Sequence, residues 1–251
     1  MKIFSRKSGA GKSDVEKPRF RHEWKYLIND LEKDDIERRL GYLLEKDSHT
    51  IDGEYTIRSL YFDDYWNSAY EDKISGYYVR KKYRIRIYNY SDERITLERK
   101  SKVGNYIYKE TARITREEYE RLMRGDYSFL EHSDQQLLRE FYIECTCHMM
   151  RPGVIVDYER TPYVLDAGTV RITFDKRLRA AVGNDIFDPG LPVLYVFPPE
   201  QLVLEVKYTQ FLPKLLREVL PAASSEFLAV SKYALCFEKR KYIQDESCWL
   251  E

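Results

Sequence analysis

Charged and apolar side chains alternate through a long central stretch of the chain, residues 83–113. Arg84 and Arg86 share one parity with isoleucines between them, and further along Glu98 and Lys100 share a parity in the same way. Successive side chains of a β-strand point to opposite faces of a sheet. The stretch therefore predicts three antiparallel strands, each with a charged row on one face and a mostly apolar row on the other.

The same periodicity, read along the rest of the chain, predicts a mixture of strands and amphipathic helices. A T-x-x-E capping box from Thr115 to Glu118 marks the start of one helix, and Asn29 or Asp30 caps an earlier one. The predicted strands are residues 21–26, 55–62, three within 83–113, 154–160, 170–175 and 201–208. The predicted helices are 30–44, 64–74, 115–125, 133–149, 213–220 and 225–241. Turns are expected at 91–93 and 102–105, and a loop with one short strand at 183–199.

Charged residues at i and i+2 recur on nearly every predicted strand. The apolar residues on the opposite face of each strand must be buried against another element. An ordinary antiparallel sheet with one wet face would explain any single pair. The rows contain almost only Arg, Lys and Glu, however, and the helices can cover the apolar faces. The pattern therefore favours an α+β fold in which a closed antiparallel barrel has a charged lumen and amphipathic helices outside it.

Overall composition narrows the function classes. The 42 basic and 42 acidic residues balance, whereas a general nucleic-acid binder usually has a net basic footprint. No apolar run approaches the roughly 18 residues needed to cross a bilayer. The four cysteines do not indicate a disulfide framework, so a cytoplasmic location is expected. We expect a flexible polar tail over residues 1–18 and a single domain over 19–251.

Two apparent motifs do not support a site. The glycines of residues 8–13 resemble the end of a phosphate-binding P-loop, but Arg6 stands where the first glycine is required. Cys145 and Cys147 are adjacent to His148 on a predicted helix, where two cysteines at this spacing point to different sides. No second cysteine pair completes a zinc site, so core packing is the expected role.

A lumen lined by Arg and Lys needs compensating charge, because unpaired buried cations carry a large desolvation cost. Interior carboxylates supply part of it, and a bound phosphate chain with a divalent metal ion would supply the rest. Guanidinium groups match phosphate oxygens in pairs, and carboxylates suit Mg²⁺ or Mn²⁺. The chemistry indicated is phosphoryl transfer, which depends mainly on positioning and charge neutralisation.

Six short motifs follow one another along the chain: Glu23-x-Lys25, Ser59-Leu60-Tyr61-Phe62-Asp63, Tyr83-Arg84-x-Arg86, Glu98-Arg99-Lys100, Leu204-Glu205-Val206-Lys207 and Ser231-Lys232-Tyr233. Their order resembles that of the VTC domain, a polyphosphate polymerase domain of the triphosphate tunnel metalloenzyme (CYTH-like) superfamily. The resemblance covers roughly residues 20 to 240. It implies an eight-stranded antiparallel tunnel that transfers the γ-phosphate of ATP to a growing polyphosphate chain with a divalent cation, Mn²⁺ or Mg²⁺.

The resemblance also implies residue roles. Expected in the transfer step are Lys25, Arg84, Arg86, Lys100 and Lys207. Expected phosphate-binding residues are Arg58, Lys109, Arg160, Arg171, Ser231 and Lys232. Expected to bind metal are Glu205 and, beside it, Glu23 or Glu98. Arg160 shares its parity with two valines and a tyrosine of its strand. It therefore faces the lumen only if that face is apolar lower down or a bulge intervenes.

Three functions remain open. The first is the polymerase, with ATP and inorganic polyphosphate as partners. The second is a hydrolase of tripolyphosphate or nucleoside triphosphates, in which Glu23 or Glu98 orients water. The third is a non-catalytic polyphosphate-binding module, against which the interior Glu205 argues. Neither an inositol-phosphate-sensing SPX domain nor a membrane segment is recognised in the 251 residues, and a membrane-protein partner would leave no signature in them.

Overall fold

A computed structural model describes residues 22–46, 53–104, 106–166, 169–209, 211–221 and 231–247. The tail expected at residues 1–18 and the glycine-rich segment 8–13 lie outside these ranges. The strands are β1 His22–Asn29, β2 Glu45–Lys46, β3 Tyr55–Asp63, β4 Val79–Tyr88, β5 Ser91–Val103, β6 Tyr106–Ile114, β7 Arg151–Leu165, β8 Val170–Ala181, β9 Val193–Tyr195 and β10 Gln201–Tyr208. The helices are α1 Asp30–Leu40, α2 Ser68–Ile74, α3 Arg116–Met123, α4 Ser128–Glu131, α5 Gln136–Cys147, α6 Lys214–Val219 and α7 Lys232–Ser247.

One antiparallel sheet organises the molecule. Its eight main strands follow the order β1-β10-β8-β7-β3-β4-β5-β6, with β2 added to β7 and β9 added to β8. The α+β class and the antiparallel arrangement are therefore confirmed. The end strands β1 and β6 share no ladder of hydrogen bonds in the described residues, so the expected closure into a barrel is not confirmed.

Helices cover one face of the sheet, which we call the outer face. Helices α3, α4 and α5 pack on apolar residues of β3 to β6, where Tyr83 and Ile85 lie in one core with Phe141. Helices α1 and α6 pack on β1, β8 and β10, where Leu204 lies in a second core with Leu40. Sequence periodicity predicted this cover, because most of the strands have a mainly apolar row on that side.

Two predicted caps fix where helices begin. The Asn29 side chain accepts a hydrogen bond from the backbone N–H of Glu32 at 2.9 Å, and Glu32 accepts one in return from the Asn29 N–H. Thr115 and Glu118 form the same reciprocal pair before α3. Each pair satisfies backbone donors that a helix start leaves without partners, so both caps are confirmed.

The turn between β4 and β5 lies two residues earlier than expected. Asn89 and Tyr90 form a two-residue turn with φ angles of 49° and 59°, and residues 91–93 already belong to β5. Two-residue hairpin turns of this kind need positive φ at both positions, which Asn tolerates better than most residues. The Asn89 side chain also accepts a hydrogen bond from the Thr56 N–H at 2.8 Å, which fixes the turn against β3.

A bulge in β8 makes this strand longer than predicted. Arg177 has a φ of 49°, and the register with β7 shifts between Asp157 and Glu159. Because one extra residue reverses the alternation of side chains, Leu178 takes the face that odd-numbered residues occupy before the bulge. The apolar–polar alternation thus breaks near Asp175, where the sequence predicted the strand to end.

Helix α7 packs on the other face of the sheet, which we call the inner face. Its Tyr233 and Cys236 lie in a third core with Val154, Val156 and other residues of β3, β7 and β8. This core supplies the apolar lower part of β7 that an inward-facing Arg160 requires. None of the helices in the described residues is long and apolar enough to cross a membrane.

Candidate functional site

A cavity of about 700 Å³ lies on the inner face of the sheet. Seven strands, helix α2 and the start of α7 contribute to it, so the sheet curves around this space. The charged residues that line it are Glu23, Lys25, Lys73, Arg80, Lys82, Arg84, Arg86, Lys100, Lys102, Arg160, Glu205, Lys207 and Lys232. Ser231 and the tyrosines 61, 158 and 233 complete most of the remaining wall. These charged rows therefore face a shared cavity and are not the solvent-exposed face of an ordinary antiparallel sheet.

Charges alternate between β1 and β10. Glu23 lies opposite Lys207 in the register of the two strands, and Lys25 lies opposite Glu205. Lys25 Nζ lies 2.8 Å from Glu23 Oε1, and Lys207 forms an ion pair with Glu205. Burial raises the pKa of Glu23, but Lys25 and then Lys100 counteract it and bring the pKa down to about 2. Both glutamates are therefore ionised at neutral pH.

Arg160 and Lys232 meet at a buried carboxylate, Asp175. Arg160 donates hydrogen bonds to Asp175 from Nε at 2.6 Å and from Nη2 at 2.8 Å, and Lys232 Nζ lies 2.6 Å from the same carboxylate. Each of the two cations also lies 3.5 Å from Glu205 Oε2. Burial opposes ionisation of Asp175, yet Arg160 and Lys232 hold its pKa below the usual value. Asp175 thus anchors the first turn of α7 to β8.

Glu98 is surrounded by cations on the opposite side of the cavity. Arg84 donates to its Oε2 at 2.8 and 2.6 Å, Lys109 donates to its Oε1 at 2.7 Å, and Arg86 lies 3.8 Å away. Burial raises the pKa of Glu98, but Arg84, Arg86 and Lys109 together place it well below the usual range. Glu98 therefore acts as the counter-charge of Arg84, Arg86 and Lys109.

Two tyrosines present hydroxyl hydrogens to the cavity. The Tyr61 oxygen accepts a hydrogen bond from Arg84 Nη1 at 2.7 Å, and the Tyr158 oxygen accepts one from Arg86 Nη2 at 3.5 Å. A guanidinium group only donates, so neither tyrosine uses its own O–H in these contacts. Neither O–H has another partner among the residues that the structure describes, and both can donate to a ligand.

Most of the predicted site residues lie together. Ten of them line the cavity: Glu23, Lys25, Arg84, Arg86, Lys100, Arg160, Glu205, Lys207, Ser231 and Lys232. Glu98 and Lys109 lie on the same face, bonded to the cavity arginines. Arg171 shares the parity of Asp175 but is not in the lining, and it donates to the Tyr55 hydroxyl at 3.1 Å.

Arg58 does not lie in the cavity, which corrects the expectation that it binds phosphate there. Its side chain is 1% exposed on the outer face, pairs with Asp157 at 2.7 Å and donates to the backbone oxygens of Ile186 and Asp188. The parity of β3 explains the difference. Arg58 has the parity of Leu60 and Phe62, which lie in the outer-face core. Tyr61, which lines the cavity, has the opposite parity.

Several basic residues of the cavity were not predicted from the sequence. Arg80 and Lys82 extend the row of Arg84 and Arg86 by two positions on the same parity, and Lys102 extends the row of β5. Strict i, i+2 counting finds the first two from Arg84 and Lys102 from Lys100. Lys73 reaches the cavity from α2, and no periodicity in the sequence connects it with the strands.

The carboxylates allow a specific test of metal binding. No group of three or more His, Cys, Asp or Glu side chains in the described ranges is arranged to hold a metal ion. Mg²⁺ commonly binds through one or two carboxylates together with substrate phosphates, which does not require such a group. Glu205 and Glu23, on paired strands and close enough to influence each other's pKa, fit that pattern. The three cations around Glu98 make it a poorer candidate.

Comparisons with known proteins agree with this architecture. A family model described as the VTC domain matches residues 20–240, whereas a search of curated protein sequences gives no match. HpAC1 from Hippeastrum, a protein named for adenylyl cyclase and described with a dominant triphosphatase activity, has a TM-score of 0.54 and 16% identity, over 85% of this chain and 93% of that chain. The bh2851 protein of Bacillus halodurans, assigned as an adenylate cyclase, has a TM-score of 0.51 and 11% identity, over 85% and 94%. Both share the fold.

Proposed function

The chain belongs to the VTC domain family, and on that premise we propose that it is a metal-dependent polyphosphate polymerase. The terminal phosphate of an inorganic polyphosphate chain attacks the γ-phosphorus of ATP inside the basic cavity, the chain gains one phosphate, and ADP leaves.

The ionisation of the cavity carboxylates is the observation that carries this proposal. All four carboxylates described above have pKa values below their usual range, so none is suited to remove a proton from water near neutral pH. The terminal phosphate of a polyphosphate chain is already anionic and needs no general base. The cavity is therefore better matched to phosphate as the nucleophile than to water.

The basic residues position the two substrates. Arg84 and Arg86 offer paired guanidinium donors that Glu98 and the tyrosines hold in fixed orientations. Preoriented donors stabilise the charge of a transferring phosphoryl group without reorganisation during the reaction. Lys25, Lys100 and Lys207 add point charges from β1, β5 and β10. Arg160 and Lys232, fixed by Asp175, hold phosphate oxygens at the start of α7.

Glu205 and Glu23 would hold the divalent metal ion, Mg²⁺ or Mn²⁺. Such an ion would supply positive charge that neutralises the phosphates of the donor during transfer. The lysines paired with these glutamates keep both carboxylates ionised, which favours binding of a hard cation.

A triphosphatase is the second candidate function. It is favoured by the fold shared with HpAC1, for which a dominant triphosphatase activity is described. In this reading Glu23 or Glu98 orients a water molecule for attack on the terminal phosphorus. Their low pKa values suit orientation of water rather than removal of its proton.

One incubation separates the two functions. The purified protein is given ATP and Mn²⁺, the products are resolved on a polyacrylamide gel, and free phosphate is assayed. We expect an anionic polymer that grows with time and little free phosphate. Stoichiometric phosphate without polymer would instead establish the triphosphatase. Glu205→Gln should lower turnover by about 100-fold, a typical loss for an electrostatic group at the reacting centre, and full activity of this variant would refute its role as metal ligand.

A further inference from the structure

The basic side chains of the cavity fall into two sets. The side chains of the first set each lie within ion-pair distance of a carboxylate, as Lys25, Lys100 and Lys207 illustrate. Four others have no carboxylate of a described residue within that distance. These four are Lys73, Arg80, Lys82 and Lys102, and we call them the unpaired basic cluster.

The unpaired basic cluster occupies one end of the cavity. Arg80 lies opposite Lys102 in the register of β4 and β5, and Arg84 lies opposite Glu98 four residues further along. At about 3.4 Å per residue, the cluster extends along the strands from Lys82, roughly 7 Å from the Glu98 centre, to Arg80 and Lys102, roughly 14 Å away. Lys73 joins it from α2.

Lys82 forms the boundary between the two sets. It donates a hydrogen bond to the Ser231 hydroxyl at 3.3 Å and lies 4.3 Å from the centre of the Tyr233 ring. The cluster is therefore continuous with the start of α7 and with the phosphate-binding residues beyond it. A ligand long enough could contact both sets at once.

The cluster carries a net positive charge that no ion pair within the described residues compensates, although Asp63 and Glu23 attract Lys82 and Lys102 from beyond that distance. All four side chains are half-buried rather than extended into solvent. Burial, followed by the charges of neighbouring basic residues, lowers the pKa of Lys73, Lys82 and Lys102. A basic surface patch would place these groups in water and spread them apart. Their convergence on a cavity instead favours a bound polyanion, which would relieve the repulsion.

We propose that the unpaired basic cluster is a second phosphate-binding station, which holds a stretch of inorganic polyphosphate that carries no metal ion. The glutamate-bearing part of the cavity holds the phosphates between which transfer occurs. The absence of carboxylates from the station suits a chain of phosphates with its full negative charge, because there is no acidic group to share a metal ion with it. This inference rests on the proposed function, since it concerns the chain on which that function acts.

Chain-length selectivity follows from the separation of the two sets. A ligand of three phosphates can occupy only one part of the cavity, whereas a long chain contacts both. The station therefore increases affinity for long polyphosphate and keeps a growing chain bound between additions.

The test compares two ligands with the full-length protein. The double variant Arg80→Gln/Lys102→Gln removes two charges of the station and leaves Lys82 and its contacts with α7 in place. Binding of tripolyphosphate and of a polyphosphate of defined length, about 30 phosphates, is measured by calorimetry with a chelator present. We expect the long chain to bind at least about tenfold more weakly, in line with loss of charge-assisted hydrogen bonds, and tripolyphosphate to bind within about twofold of wild type.

Controls keep the outcomes distinct. Lys214→Gln removes a charge from a side chain that is 90% exposed on α6 and should alter neither affinity. The thermal midpoint of the double variant should equal or exceed that of wild type, since two repelling charges are removed. If the double variant bound both ligands equally more weakly, or bound both as tightly as wild type does, the second station would be overturned and the proposed function would stand. Wild-type protein that binds neither ligand and forms no polymer would overturn the proposed function itself.

Discussion

Glu23 accepts a hydrogen bond from Lys100 at 3.1 Å, although their strands, β1 and β5, share no ladder of hydrogen bonds. The contact joins one end strand of the sheet, β1, to the strand next to the other end, β5. Glu23 also pairs with Lys25 on its own strand, so one carboxylate connects two walls of the cavity. Here β1 and β5 are therefore joined by an ion pair between side chains, whereas neighbouring strands elsewhere in the sheet are joined by backbone hydrogen bonds.

Replacing this carboxylate should separate binding from turnover. In Glu23→Gln, Lys25 and Lys100 lose their counter-charge, so metal-free tripolyphosphate should bind more tightly, by about tenfold for each 1.4 kcal/mol of repulsion removed. Turnover with Mn²⁺ should fall because one proposed metal-binding oxygen is lost. Calorimetry and polymer yield measure the two effects. Parallel loss of affinity and turnover would mean that Glu23 acts mainly by holding the sheet in shape.

Arg58 should matter for stability and not for ligand binding. Arg58→Ala leaves Asp157 with one fewer cation in a buried setting, and loss of one partner of a buried ion pair costs about 3–5 kcal/mol. Urea denaturation should show this loss, while tripolyphosphate affinity of the folded variant stays unchanged. Arg86→Ala, on the inner face, should give the opposite pattern. Weakened binding in Arg58→Ala would show that the outer face influences the cavity.

Lys82 should make phosphate binding depend on pH near neutrality. Burial, together with Lys73, Lys100 and Arg80, lowers its pKa to about 7, so it is half protonated at pH 7 in the free protein. A bound anion raises this pKa, so binding takes up a proton and affinity falls as pH rises. From pH 7 to pH 8 the charged fraction falls about fivefold, and the contribution of Lys82 to affinity falls with it.

Lys82→Arg isolates this effect, because arginine stays protonated throughout the range. The difference in pH dependence between wild type and variant removes the contribution of the ligand's own ionisation. We expect the affinity of the variant to fall less than that of wild type between pH 7 and pH 8, with the remaining fall due to Lys100, whose pKa burial lowers to about 8. Identical profiles would mean that Lys82 does not change its charge on binding.

Tyr61 should contribute one hydrogen bond to a bound phosphate. Tyr61→Phe retains the ring and the Arg84–Glu98 pair but removes the O–H that the cavity arginine leaves unused. Tripolyphosphate should bind about 10-fold more weakly, the expected loss of a hydrogen bond to a charged group. Tyr83→Phe is a matched control, since Tyr83 accepts from Arg99 at 3.2 Å on the outer face. Equal effects on affinity would assign both changes to stability alone.

Alternation along the strands was enough to predict much of the site. Arg84 and Glu205 line one cavity, and Glu98 is bonded to Arg84 beside it, because each occupies the charged row of its own strand, and parity alone specifies those rows. Arg58 was misplaced because the resemblance was followed there instead of parity. The helical cover was also predictable, since the apolar rows need partners and the amphipathic helices supply them.

The remaining features depend on interactions that periodicity does not encode. Asp175 ends a predicted strand and carries no motif, yet it joins Arg160 to Lys232 through contacts between residues far apart in the chain. Lys73 reaches the cavity only because of the position of α2. The turn at Asn89 was misassigned to a more polar neighbour, although positive φ rather than polarity determines a two-residue hairpin.

The bulge at Arg177 makes the two halves of β8 present opposite parities to the inner face of the sheet. Before it, β8 turns Asp175 toward the substrate side; after it, the reversed alternation turns Leu178 toward α7 and Arg179 toward Asp157. Deleting one residue there would put a guanidinium under the helix and a leucine among the outer charges. The length of this strand is therefore as strictly constrained as its composition.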